Sequence, residues 1–328
     1  MCTSVTFLSE TGDNFLARTM DFAFELDGRP VVIPRRQHFD SAADPNGYDT
    51  RLAFVGAGRN LGSGYILVDG VNERGFSGAA LYFSGEASYA DQIKPNHTNL
   101  ASYEVLNWLL GNADSCADAA DLIKKLNVVN VPIKLMGTVV PLHWIVSDRY
   151  GDCRVLEIRA DGVHYLKDPV GVMTNSPDFE WHLKNLNNYT ELQPGPHPDR
   201  DYHGYRISSY GPGSGALGMP GDYTSTSRFI RTAFMRQYTT GAQSKDAVNV
   251  LSHILNAVEI PKGVKLKENG EADYTQYRGY MDSANLTYYM QPYDNQTISK
   301  VTLTDDLMNA DQPVEFPLEH EQTYHQLN

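Results

Sequence analysis

Cys2 stands directly behind Met1 in MCTSVTFL, an odd place for a thiol in a chain with only three cysteines. Chain ends fray and are solvated, and an oxidisable group there adds nothing to packing. The chemistry that would justify it is that of an N-terminal nucleophile. The thiolate attacks, and the α-amine of the same residue, with an unperturbed pKa of about 7.7–8.0, takes and returns a proton near working pH. That pairing needs a free amine on Cys2 and hence loss of Met1, which a small second residue permits. Taken alone, Cys2 reads equally well as incidental.

Three further stretches carry polar groups that such a nucleophile could use. ARTMDF sets Arg18 and Asp21 in an otherwise apolar segment. A nearby arginine favours thiolate, and a carboxylate can orient an ammonium. The plainer reading is a strand-edge ion pair. Side chains three apart in a regular strand face opposite ways, so both serve Cys2 only if the strand ends or bends near Met20. GVMTNSP places Asn175 before the turn signal Ser176-Pro177. Its amide could donate to a developing oxyanion, although an Asx-turn is the commoner role. STSRF puts Arg228 near a helix start, a poor place for a cation that lacks an anionic partner.

The elements that must position these residues come in blocks. Short β-prone runs fill the first 83 residues: SVTFL, NFLARTMDF, RPVVIPRR, RLAFVGAG, YILVDGVNE and GFSGAALYF. Two helices follow, 102–110 with Ser102 as its cap and 115–127 with Ala119, Leu122 and Leu126 on one face. LHWIVSD, CRVLEIRA, GVHYLKD and GVMTNS form a second β block, and DFEWHLKNLNNY a short helix. Residues 190–223 read as a long loop. Helices at 224–238 and 244–260 precede a last β block of TQYRGYMDS, LTYYMQPYD and TISKVTLT, and the final twenty residues read as a polar tail or edge. Blocks without strict alternation predict an α+β architecture of mainly antiparallel sheets. Apolar positions on both faces of YILVDG and LHWIVSD predict two stacked sheets with helices outside. No linker divides residues 1–328, so one domain is expected.

With a net charge of −13 and no basic stripe, neither nucleic acid nor anionic membrane is an expected partner. No apolar run approaches a membrane span, and no secretory signal pattern opens the chain. Cys2, Cys116 and Cys153 form no disulfide framework, so a reduced cytoplasm is the expected setting. Cys116 and Cys153 are expected to be buried and structural. The sequons at Asn96, Asn188, Asn285 and Asn295 are then not expected to carry glycans. GAGRNLG (56–62) has Leu61 where a dinucleotide loop needs glycine, Ser214 lacks G-x-S-x-G spacing, and the histidines of HEQTYH stand five apart. No metal is expected.

Taken together, MCTS, LARTMDF, ALYFSGE, GVMTNSP and LGMPGDYTSTSRF resemble the choloylglycine hydrolases, in order and spacing along nearly the whole chain. That family comprises bile salt hydrolases and penicillin V acylases, within the N-terminal-nucleophile hydrolases. The resemblance implies a four-layer αββα sandwich, hydrolysis of a linear non-peptide amide, no cofactor and a homotetramer. It implies Cys2 as nucleophile, Arg18 and Asp21 around it, Asn175 and the backbone N–H of Tyr82 as oxyanion donors, and Arg228 completing the polar network. Bile-salt-preferring members tend to carry asparagine at position 82. Tyr82 therefore leans towards penicillin V acylase, with bile salt hydrolase as the alternative, acyl homoserine lactones as a further substrate class, and a catalytically silent acyl-amide binder as the distant one. Met20, Phe22 and Tyr82, with Ile133, Leu135 and Met136, are the candidate acyl pocket, though core packing explains such apolar residues as well.

Overall fold

The structure is a computed structural model that describes residues 1–62 and 64–328. β1 (Cys2–Leu8) and β2 (Asn14–Phe22) form an antiparallel hairpin in which Cys2 lies opposite Met20 and Ser4 opposite Arg18. Both strands are buried along almost their full length, which only a strand covered on two faces can be. They sit inside a six-stranded sheet with the order Val172–Met173, β1, β2, Tyr274–Asp282, Thr287–Pro292, Ser299–Thr302, antiparallel at every step.

A nine-stranded antiparallel sheet packs on the inner face of this one, with Ser77–Tyr82 and Asp69–Asn72 at its centre. Helices α1 (Val105–Asn112) and α2 (Cys116–Ile123) cover its outer face, where Leu106, Leu109 and Ile123 meet Val31, Trp144 and Leu156. After α3 (Phe179–Asn185), helices α4 (Ser225–Tyr238) and α5 (Ala247–Asn256) cover the outer face of the six-stranded sheet. Phe229, Ile230, Leu251 and Leu255 bury there. Ser115, Asp178 and Thr224 cap α2, α3 and α4, each accepting from the amide three residues on. The layers run helix, sheet, sheet, helix, as the block pattern predicts.

Several local expectations are corrected. Ser102 does not cap its helix: its hydroxyl donates to Val140 O, while Glu104 accepts from Ala101 N. The second helix ends at Ile123, because residues 126–129 pair in parallel with Thr98–Ala101. Residues 190–223 are not all loop, since Arg200–Tyr202 and Tyr205–Ile207 form an exposed hairpin. YILVDGVNE breaks into Tyr65–Leu67 and Asp69–Asn72. Gly56 is what lets the chain close on that break, because a Cβ there would lie 1.8 Å from Asp69 O. The tail is both things expected of it: Val314–Glu315 adds an edge strand, and the residues after it are largely exposed. Cys116 and Cys153 are buried free thiols. No helix among the described residues is long and apolar enough to cross a membrane.

Candidate active site

The β1–β2 register puts Cys2, Arg18 and Met20 on the face turned to the second sheet. Cys2 is 2% exposed, with Arg18 Nη2 2.8 Å and Met20 Sδ 3.9 Å from its sulfur. Arg18 has no solvent contact at all. Burial opposes its charge, but Cys2, Tyr277 and Asp69 outweigh that and hold the guanidinium firmly protonated.

Asp21 lies on the opposite face, as alternation requires. The bend near Met20 that would bring both side chains to Cys2 is absent from β2; the bulge is in the partner strand, between Thr275 and Tyr277. The Asp21 carboxylate accepts from Thr19 Oγ1 (3.1 Å) and Thr275 Oγ1 (2.6 Å) and faces Arg228 Nη1 at 3.9 Å. Its main-chain oxygen, not its side chain, receives the Met1 ammonium. The anionic partner that Arg228 needs is thus Asp21. Arg228 also donates to Cys2 O and Thr3 Oγ1 (2.6 Å each) and to Asn175 Oδ1 (2.8 Å).

Asn175 joins the two halves. Its Oδ1 accepts from Cys2 N at 2.7 Å, and its Nδ2 donates to Tyr82 O at 2.8 Å. The N–H and C=O of one strand residue point the same way, so the Tyr82 N–H is turned to this side as well. Cys2, Arg18, Asp21, Asn175, Arg228 and the Tyr82 backbone therefore meet within one buried network.

Sequence reasoning missed what stands behind that network. Asp69 is fully buried and accepts from Arg18 Nη1 (3.0 Å), Tyr277 Oη (2.6 Å), Tyr288 Oη (2.6 Å) and Ala57 N (3.2 Å). The one available signal was an acid inside the apolar run YILVDG. Removing one member of a buried ion pair leaves the other uncompensated. Asp69→Asn is expected to lower the unfolding free energy by about 3 kcal/mol or more, read by urea denaturation.

Two histidines hold the backbone that carries Asn175. His143 Nε2 meets Thr174 O at 3.0 Å, with Glu157 on its other nitrogen at 3.2 Å. His182 Nε2 meets Asn175 O at 2.8 Å, its ring stacked on Phe229. Burial lowers the His182 pKa to about 4. A pKa depressed on folding means the unfolded chain binds the extra proton first. The contribution of neutral His182 is therefore complete above about pH 6.5 and is lost as pH falls through about 4. The stability gap between wild type and His182→Gln is expected to shrink by about 2–3 kcal/mol from pH 7 to 4.5 in urea titrations. Asp168, which burial raises to about 6, works in the other direction but is common to both proteins.

In front of Cys2 lies an apolar cavity of about 100 Å³, and Met20, Phe22, Tyr82, Ile133, Leu135 and Met136 all line it. The Phe22 and Tyr82 rings pack against each other in its wall, with centroids 5.7 Å apart. A cleft of about 760 Å³ adjoins it through shared walls at Arg59, Leu61, Ile66, Tyr103 and Ile133. Among the described residues, the one cluster with metal-ligand geometry is Cys116, Asp148 and Asp152. Asp148 is already taken up by the amides of Cys116, Tyr150 and Asp152, so it reads as a turn and not an ion site.

The sequence profile of linear amide C–N hydrolases, choloylglycine hydrolase family, matches residues 2–316. The chain is 32% identical to the bile salt hydrolase/transferase of Lactiplantibacillus plantarum, with all of both chains covered. It is 30% identical to that of Clostridium perfringens, over 95% of each. The crystal structure of the C2A mutant of conjugated bile acid hydrolase from Clostridium perfringens superposes with a TM-score of 0.93 at 28% identity over the full length of both chains. Penicillin V acylase from Agrobacterium tumefaciens gives 0.72 at 22% identity, over 93% of this chain and 88% of that one, a likeness of fold alone. A thiol at the head of a buried strand, read with these matches, places the chain in the choloylglycine hydrolase family of linear amide C–N hydrolases.

Proposed function

We propose that the chain hydrolyses conjugated bile salts, releasing the bile acid and its amino acid. The observation that carries this is full-length similarity to relatives named bile salt hydrolases, at 30–32% identity. It reverses the lean that Tyr82 suggests in the sequence, because penicillin V acylase enters only through a distant likeness of fold. The larger cleft lies beside the apolar cavity and shares walls with it, which offers room near Cys2 for a long acyl group.

In this reading Met1 is removed and Cys2 carries the free amine. The Cys2 thiolate attacks the amide carbonyl from the inner face, with Arg18 beside the sulfur. Asn175 Nδ2 keeps its second hydrogen after serving Tyr82 O, and that hydrogen, with the Tyr82 N–H, receives the oxyanion. The α-ammonium, held by Asn175 Oδ1, protonates the leaving nitrogen as the C–N bond breaks. Water, deprotonated by the same amine, then cleaves the thioester and returns the acid. Asp21 and Arg228 keep Cys2 and Asn175 in register. Assembly as a homotetramer belongs to the same reading.

Parallel assays on taurocholate, glycocholate and penicillin V, with intact-mass measurement, test it. The expected result is a chain beginning at Cys2 that cleaves the bile conjugates faster. Faster cleavage of penicillin V would instead favour the second reading, which the Phe22–Tyr82 pair in the cavity wall supports. Retained Met1 in active protein would sink the N-terminal mechanism.

A further inference from the structure

Met1 shows where a group joined to the Cys2 nitrogen goes. Its peptide carbon is bonded to that nitrogen, and Met1 takes no part in lining the acyl cavity, which Cys2 does. Its ammonium lies on Asp21 O and 3.6 Å from Asp273 Oδ1, and its sulfur 3.9 Å from Arg228 Nη2. Met1 is 27% exposed, so this path reaches solvent.

A leaving amine must follow the same path. It takes its proton from the Cys2 nitrogen, so it departs within hydrogen-bond reach of that atom, on the side the acyl group does not occupy. The groups that line the path are therefore those the departing molecule meets.

Asp273 Oδ1 is buried and has no hydrogen-bond partner, while Oδ2 accepts from Lys265 Nζ at 2.8 Å. Both residues stand at the base of a tight hairpin, closed by Asp273 N donating to Lys265 O at 3.0 Å and by the Leu266–Ala272 bridge. Two cations border the Met1 path. Arg228 is fully buried and committed to Cys2 O, Thr3 and Asn175. Among the described residues Lys265 pairs with Asp273 alone, and it is 21% exposed, so its ammonium can turn to a new anion.

We propose that Asp273 and Lys265 form the subsite for the departing amine, with the nitrogen towards Asp273 and an anionic tail, carboxylate or sulfonate, on Lys265. This rests on the bile-salt reading, whose leaving groups are short amino acids of that kind, and it names Lys265 as a specificity-determining residue. The subsite distinguishes charged from neutral tails. An acyl homoserine lactone, whose leaving amine carries no anion, gains nothing from Lys265.

The test compares wild type with Lys265→Ala, Lys265→Glu and Lys265→Arg on taurocholate, glycocholate and the neutral N-ethyl cholamide. In Lys265→Ala, KM for both conjugates is expected to rise about tenfold, with kcat within about twofold and the ethylamide unmoved. Lys265→Glu raises KM further, and Lys265→Arg restores it. Equal changes on charged and neutral amides, or no change, overturn the subsite. A wild type that cleaves no cholyl amide overturns the bile-salt reading instead. The subsite is then decided on penicillin V, whose leaving amine also bears a carboxylate, against N-ethyl phenoxyacetamide. A wild type that cleaves none of these overturns both.

Discussion

Cys2→Ser is expected to fold like the wild type and to lose turnover by on the order of 10³-fold or more. The exchange is small in volume, and β1 keeps every backbone contact, so melting temperature should move little. The loss is chemical. An alcohol gives up its proton far less readily than a thiol, and the α-amine is too weak a base to make up the difference. Arg18, 2.8 Å from the sulfur and tied to Asp69, is placed to pair with a thiolate and gains nothing from a neutral hydroxyl. Steady-state hydrolysis of taurocholate, with circular dichroism as the folding control, decides it. Wild-type turnover in the serine variant would remove Cys2 from the chemistry.

Asn175→Ala is expected to lower kcat by about 10²–10³-fold, the usual effect of losing one oxyanion donor. Its position suggests a further loss, because the same amide accepts from Cys2 N and Arg228 Nη2. Truncation leaves two buried donors without an acceptor, which costs about 1–3 kcal/mol of stability for each group left unsatisfied. Asn175→Asp separates the roles, since it retains an oxygen for both donors and removes the Nδ2 hydrogens. An equally low kcat in the aspartate variant assigns the effect to donation. Recovery to within tenfold of wild type would mean that Asn175 only holds the Cys2 nitrogen in place.

The features legible in the sequence are those set by local pattern. β1 and β2 follow from their β-prone runs, and α4 from the helical stretch at 224–238. Spacing also says that Arg18 and Asp21 must part company across β2, and they do. Pattern could not say how they are reconciled. The answer lies in a partner strand more than 250 residues away, which takes up the bulge and supplies Thr275. The role of Asp69 was hidden for a similar reason: its four partners come from four other strands. The misjudged hairpin at 200–207 shows the converse, because exposed strands carry little of the apolar periodicity from which strands are read.

The burial of the β1 end also governs how the protein should be made. Any residue left in front of Cys2 occupies the space Met1 now fills, between Asp273, Arg228 and the Asp21 carbonyl. If Cys2 must carry a free amine, as proposed, a purification tag on that end is expected to give a folded but inert product, easily mistaken for a failed enzyme. The opposite terminus, where 325–328 are exposed, is the one to modify.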